Sequence, residues 1–554
     1  MRKNLLGLLL VFTFLLPTVS FAQTAVKIDE KERKMAEAIT AAQLKDYLYY
    51  VASDEMAGRD TPSQGLDLTA KFIGTLLSRW GFRPAGDNGT FFQKIDLHRD
   101  ILSVASTTAT LGGQNLVYGT DFFANPTAAS LSSVPMVFVG EGWMIKSKGI
   151  DPYKDLDVRG KIVVTYSSNF PRGVNAQEIF SSGKRGEAWA DPVTYARQNG
   201  AVAVIGIATP DIEQNWQRIR TSRERSNYSV DKLQEEGSRP FPTIFISSKA
   251  AENLFKGESS EFAKIAEAYK SSAALPSFNF SADKTASFSV VTTPEKATTQ
   301  NIVAVWEGAD TSLKNEYVAI GAHYDHVGTN PNARGDDKIW NGADDDGSGT
   351  VAVLSIAEAL AKAPKRPKRS TLFVWHCGEE KGLWGSEYFN KFPTVDVKQV
   401  VTQLNIDMIG RSLDPNNIIK CGQGKPCNEE LSGPNGVYVI GSEMMSSTLG
   451  AITKGTNDAY LKLGYDYKYD DPKDKNRFFF RSDHFNYAQN GIPIVFWFDG
   501  VHEDYHQPGD EPQKIDYAKM EKITRTIYLT LLEVSDLKER PKIDKQLPPE
   551  LTRK

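Results

Sequence analysis

Six of the seven histidines of this 554-residue chain lie between His323 and His506, and runs of carboxylate share that interval. GAHYDHVG supplies His323 and Asp325, NGADDDGSGT the triplet Asp344, Asp345 and Asp346, and HCGEEKGLWGS the pair Glu379 and Glu380; NIDMIG supplies Asp407, and DYHQPGD supplies Tyr505 and His506. Imidazole nitrogen together with carboxylate oxygen is a donor set that suits zinc. Two metal ions about 3.5–4 Å apart need one bridging carboxylate and roughly two further ligands each, and five such positions provide that number. Taken singly, each residue has a plainer reading. The aspartates can cap the helix-like run that begins at Gly349, and Asp407 can close a turn. Glu379 and Glu380 can sit in a solvated loop, His323 can be a satisfied core histidine, and His506 an ordinary loop residue. Their shared placement argues for reading them together.

That placement is the work of strands. NIVAVWEG, EYVAIGAH, STLFVWHC, VVTQLNID and GIPIVFWF are apolar runs of strand length, and from Thr299 onward they alternate with helical stretches. The alternation predicts a doubly wound, mostly parallel α/β sheet flanked by helices, whose strand C-termini gather the candidates along one edge. Neighbouring strand residues point to opposite faces, so Glu379 and Glu380 can both serve only if their strand has already ended in a turn. Gly378 permits that turn.

Upstream, Lys31 to Trp80 reads as two helices around the loop SDEMAGRDTPSQG, and Gly81 to Gln93 as a turn into a strand. From about Ala124 the texture changes to short β-rich runs, VPMVFVG, GKIVVTY, AVAVIGIA and FPTIFIS, in a stretch without histidine. They predict an inserted β-rich domain over 124–260. The catalytic domain would then comprise 23–123 and 261–538, with a flexible charged tail at 539–554.

With 65 basic against 69 acidic residues and 40% apolar content, nothing argues for nucleic acid or an anionic membrane surface as a partner. Arg2 and Lys3 precede an apolar run from Leu5 to Leu16 and the small-residue pattern Ser20, Phe21, Ala22, which reads as a signal peptide over 1–22. Its apolar run is too short for a stable membrane anchor, so a periplasmic or secreted protein is expected. The basic run KAPKRPKR (Lys362 to Arg369) then reads as a solvated connection. Cys421 and Cys427 can form a disulfide or remain a reduced pair, and Cys377 reads as packing.

The ordered set GAHYDHVG, NGADDDGSGT, HCGEEKGLWGS, LNIDMIG and YHQPGD resembles the metal motifs of the two-zinc aminopeptidases related to glutamate carboxypeptidase II, a zinc exopeptidase fold. SDEMAGR, GFRPAGDNGTFFQ and RSDHFNYAQNGIPIVFWF resemble the same family, and DVRGKIVV followed by NGAVAVIGI resembles its inserted protease-associated domain. The resemblance implies two zinc ions bridged by Asp345, with His323 and Asp407 completing one site and Glu380 and His506 the other. It implies Glu379 as general base, Asp325 as the residue that orients the His323 imidazole, and a cis peptide between Asp345 and Asp346. Tyr505 matches a residue that stabilises the oxyanion, or else is a packing tyrosine. His484 either lines the pocket or is structural; His326, His376 and His502 read as structural neighbours, and His98 as unrelated.

Peptide substrates follow, with an aminopeptidase as the leading expectation. A carboxypeptidase or dipeptidase of the same fold would need cationic side chains such as Arg477 or Arg481 in the pocket. A catalytically silent binding protein would lack metal ligands, and a single-zinc glutaminyl cyclase would not need the complete set.

Overall fold

The computed structural model describes residues 26–167, 170–234, 240–414, 416, 430–548 and 551. The expected signal peptide and the Cys421–Cys427 pair lie outside the described residues. Among those described, no helix is long and apolar enough to cross a membrane. The chain divides into two compact units, Met1–Phe91 with Ile302–Ser386 and Pro393–Lys554, and Phe92–Asn301 with Glu387–Phe392.

The first unit is built on a mixed sheet. Its principal strands are β1 (Thr292–Trp306, of which Ile302 onward belongs here), β2 (Tyr317–His323), β3 (Ser370–His376), β4 (Val400–Ile406), β5 (Gly436–Ile440), β6 (Gly464–Asp466) and β7 (Ile494–Phe498). They lie in the order β1-β3-β2-β4-β7-β5-β6. β3, β2, β4 and β7 run parallel, while β1 pairs antiparallel with β3, and β5 antiparallel with β7. β2, β3, β4 and β7 are buried along nearly their whole length, which is why they read as continuous apolar runs rather than alternating ones. The order reverses around β2, with β3 on one side and β4 on the other, so the crevice at their C-terminal ends is where such a sheet holds a ligand.

Helix α1 (Gly349–Lys362) packs on β2 and β4. Helix α2 (His484–Gln489) packs on β4 and β7, and α3 (Tyr517–Ser535) on β2 and α1. Where two upstream helices were expected there are three, Glu30–Ala36, Ala41–Val51 and Gln64–Arg79. The last is capped by Ser63 and buries Leu66, Ala70, Ile73 and Leu77 at helical spacing. The described part of the expected tail is docked: Arg540 donates to Glu316 Oε1 (2.8 Å), and Asp544 accepts from Ser447 N (2.8 Å).

The second unit extends beyond the expected 124–260 at both ends. Among the described residues its largest sheet holds nine strands, and the four anticipated apolar runs are Ala129–Phe138, Ile162–Thr165, Ala203–Ile207 and Thr243–Ile246, paired in parallel in that order. Thr108–Leu111, expected in the catalytic domain, pairs antiparallel with Thr285–Val290, and the latter with Ala129–Phe138. Pairing between segments so distant in sequence leaves no local compositional mark. Helices Pro192–Gln198, Ser248–Phe255 and Phe262–Lys270 make this unit α/β rather than simply β-rich.

Candidate metal centre

β2 ends on His323, in register with His376 of β3. Its Nδ1–H donates to the carbonyl oxygen of Asp325 (3.1 Å), which turns the Nε2 lone pair outward from the strand end. Nε2 stands 3.3 Å from Asp345 Oδ1, 3.7 Å from Asp407 Oδ2 and 3.9 Å from Glu379 Oε2. The other carboxylate oxygen of Asp345, Oδ2, is 3.0 Å from His506 Nε2, which is itself 3.1 Å from Glu380 Oε2. One carboxylate thus presents one oxygen to each of two donor groups, the arrangement a bridging ligand requires. His326 joins the second group, with Nδ1 2.8 Å from Glu380 Oε1 and 3.8 Å from Asp345 Oδ2.

Hydrogen bonding separates the three aspartates. Asp344 accepts from Gly410 N (2.6 Å) and faces His502 Nε2 (3.3 Å). Asp346 Oδ1 accepts from Gly349 N (2.9 Å) at the start of α1 and from Met408 N (3.2 Å), so it ties the start of the helix to the loop after β4, although it also lies within reach of His323 and Asp407. Asp345 is left facing the imidazoles, across a cis peptide to Asp346. Asp510 holds the turn from below by accepting from Asp344 N (3.0 Å) and Asp345 N (3.1 Å).

Beyond β3 the chain turns at Gly378 with φ +66°, where a Cβ would press on Trp384. Both glutamates therefore face the centre. Asp325 is fully buried, and its carboxylate accepts from Glu379 N (3.1 Å) and Thr61 Oγ1 (3.0 Å), while standing 3.7 Å from His323 Nδ1. It locks the Glu379 turn, and the imidazole is oriented by its backbone oxygen. Arg59, also fully buried, donates to the carbonyls of Tyr324, Val51, Asn341 and Gly342 and so ties the Ser53–Gly65 loop to the two sides of the centre.

The field of the centre is anionic. Burial opposes protonation of His323, but Glu379 and Asp407 outweigh it and hold its pKa well above the usual imidazole range. Burial likewise opposes the charge on His506, while Asp345 and Glu380 raise its pKa to about 10. Burial pushes Glu379 well above the carboxylate range, with Asp407 and Glu380 adding to it, whereas the hydrogen bonds of His323 and His506 outweigh burial at Asp345 and hold it well below. A field that retains protons on imidazoles is one that a dication can occupy in their place. The nitrogen and oxygen donors fit zinc.

The adjoining pocket is walled by Met408, Phe478, Phe496, Phe498 and Val501, and Arg481 and Tyr505 line it together with the carboxylates. Arg481 Nη2 approaches the Tyr505 hydroxyl at 3.4 Å, and the Tyr505 ring stacks on His506 at 4.0 Å. Burial keeps the Tyr505 hydroxyl protonated far into the alkaline range. Arg477 instead lies over the Phe480 ring at 4.2 Å. His484 donates to Phe479 O (2.8 Å) and stacks on Phe496 behind the pocket surface, and His376 meets Asp483 and Tyr487. Cys377 is buried. The expected ligands and base are brought together. His326, read as a structural neighbour, belongs to the centre as well; its only trace in the sequence is its place three residues after His323.

Residues 301–531 match the model of peptidase family M28. Over 223 residues the chain is 28% identical to leupeptin-inactivating enzyme 1 of Streptomyces exfoliatus, a match covering 40% of each chain. Over 212 residues it is 30% identical to a probable leucine aminopeptidase of Arthroderma benhamiae, covering 37% of this chain and 50% of that one. The chain thus spans half or less of the length of these curated relatives. Among solved structures, the aminopeptidase from Aneurinibacillus sp. strain AM-1 superposes with a TM-score of 0.50 at 15% identity, covering 93% of this chain and 97% of that one. That likeness is one of fold. The matched M28 segment contains all the donors described above.

Proposed function

We propose that this chain is a zinc-dependent exopeptidase of family M28, an aminopeptidase that releases N-terminal residues. In this reading His323 and Asp407 would hold one zinc ion and Glu380 and His506 a second, with Asp345 available to both. The observation that carries it is the division of the Asp345 carboxylate, Oδ1 toward His323 and Oδ2 toward His506, with Glu379 alongside. Bound there, zinc would polarise the scissile carbonyl and lower the pKa of a water molecule. Glu379 accepts the proton of the attacking water and delivers it to the leaving amine, a shuttle suited to a carboxylate whose pKa is raised by burial. The Tyr505 hydroxyl, approached by Arg481, donates a hydrogen bond to the developing oxyanion.

The aromatic wall supports an apolar residue in the pocket, as do the names of the leucine aminopeptidase relatives. Arg481 at the pocket favours a second reading, a carboxypeptidase or dipeptidase related to glutamate carboxypeptidase II, in which it pairs with a substrate carboxylate. A silent binding protein has no use for a complete donor set with its base. The strand order of the second unit supports a protease-associated-like module, and Arg2 to Ala22 supports export to the periplasm or beyond.

A panel of peptides with free and blocked N-termini, each with and without chelator, tests the reading. Chelator-sensitive release of the N-terminal residue from free peptides alone is expected. Release of C-terminal residues from blocked peptides would establish the second reading instead, and turnover indifferent to chelator would overturn both.

A further inference from the structure

We infer that His326 Nδ1 is a direct ligand of the metal ion held by Glu380, His506 and Asp345, giving that ion four protein ligands where its neighbour has three. The inference rests on the two-zinc reading proposed above. His326 is fully buried, and its Nδ1 lies 2.8 Å from Glu380 Oε1, yet neither of its ring nitrogens makes a hydrogen bond, and neither does Glu380 Oε1. The distance suits a hydrogen bond, yet the two atoms do not meet hydrogen-bond geometry. Two buried acceptors left this close and unpaired are costly unless their lone pairs converge on a third atom.

A metal ion satisfies that requirement. Two donors 2.8 Å apart, each about 2.0–2.1 Å from one ion, subtend about 90° at it, an angle available in the five-coordinate state that catalytic zinc can reach. Nδ1 of His326, one oxygen each of Asp345 and Glu380, and a nitrogen of His506 all lie within 4.8 Å of one another. The ring is held for this purpose. His326 N donates to Arg59 O (3.2 Å), and the ring lies against Gly342, where a Cβ would stand 2.4 Å from His326 Cγ. Arg59 thus holds both sides of the slot, His326 through its own backbone carbonyl and Gly342 through its guanidinium, which donates to the Gly342 carbonyl (2.9 Å).

The alternative is that His326 donates a hydrogen bond to Glu380 and only positions it. Loss of such a partner also weakens metal binding, by about 10–100-fold, so affinity alone does not separate the two roles. The test is the structure of the zinc-loaded full chain, read with zinc titrations of His326→Gln, which can donate to Glu380 but ligates poorly. We expect Nδ1 about 2.0–2.1 Å from the second zinc. We also expect His326→Gln to lose at least tenfold in affinity for one zinc equivalent and to leave the other unchanged. Nδ1 more than about 3 Å from the ion, or full retention of affinity in His326→Gln, would overturn the inference while leaving the two-zinc reading intact. Absence of zinc beside Glu380 and His506 would overturn both.

Discussion

The two donor groups that share Asp345 are built differently. His323 and Asp407 end or follow buried strands and are 1% and 7% exposed. Glu380, His506 and His326 stand on loops; the chain reaches Glu380 through a left-handed Gly378, His506 itself has φ 53°, and its side chain is 36% exposed. A strand-end ligand inherits its position from the sheet, whereas a loop ligand needs its own scaffolding. Arg59, Gly342 and Asp510 supply it. The strand-built half should therefore be the rigid one, and the loop-built half the one that exchanges its ion.

Removing the shared carboxylate should erase the contrast altogether. Asp345→Ala is expected to lose both zinc equivalents and all measurable peptidase activity, read by zinc content per chain and peptide hydrolysis. Glu379→Gln should leave both halves loaded while turnover falls by about 10²–10⁴-fold; most of the activity surviving would remove Glu379 from the mechanism. The difference between the halves shows next in a timed chelator challenge. The zinc lost first should be the one missing from His506→Ala, and the zinc lost last the one missing from Asp407→Asn; the reverse order would mean that exposure does not govern exchange.

The smallest effect concerns the aromatic wall behind the strand-built half. Burial lowers the pKa of His484 to about 4 from an ordinary 6.5. Its neutral folded form costs nothing above pH 6.5; below that the unfolded imidazole takes up a proton the folded one refuses. Stability should therefore fall as pH drops from 6.5 toward 4, by up to about 3 kcal/mol. His484→Gln, whatever its overall stability, should show a shallower decline in denaturant midpoint over that window.

The same contrast governs what the sequence disclosed. β2, β3, β4 and β7 are buried on both faces and so stand out as apolar runs, and the carboxylates after them follow from parallel-sheet geometry. The Gly378 turn was legible from the need to aim two adjacent glutamates at one point. Asp325 sits in irregular backbone that no periodicity describes: its backbone oxygen accepts from His323 Nδ1, while its carboxylate stands 3.7 Å from that nitrogen and accepts from Glu379 N. His326 and the clamp of Arg59 lie in irregular backbone, where no periodicity says which way a side chain faces. The division at Phe92 and Asn301 was hidden because Thr108–Leu111 and Thr285–Val290 find each other only in space.

The most direct test of the two-zinc account is stepwise reconstitution of the metal-free chain, following hydrolysis of a free-N-terminal peptide against zinc bound. The account predicts two equivalents per chain, with full activity only when both are present and none restored by zinc to Asp345→Ala. Full activity at zero or one equivalent, or a single zinc at saturation, would contradict it.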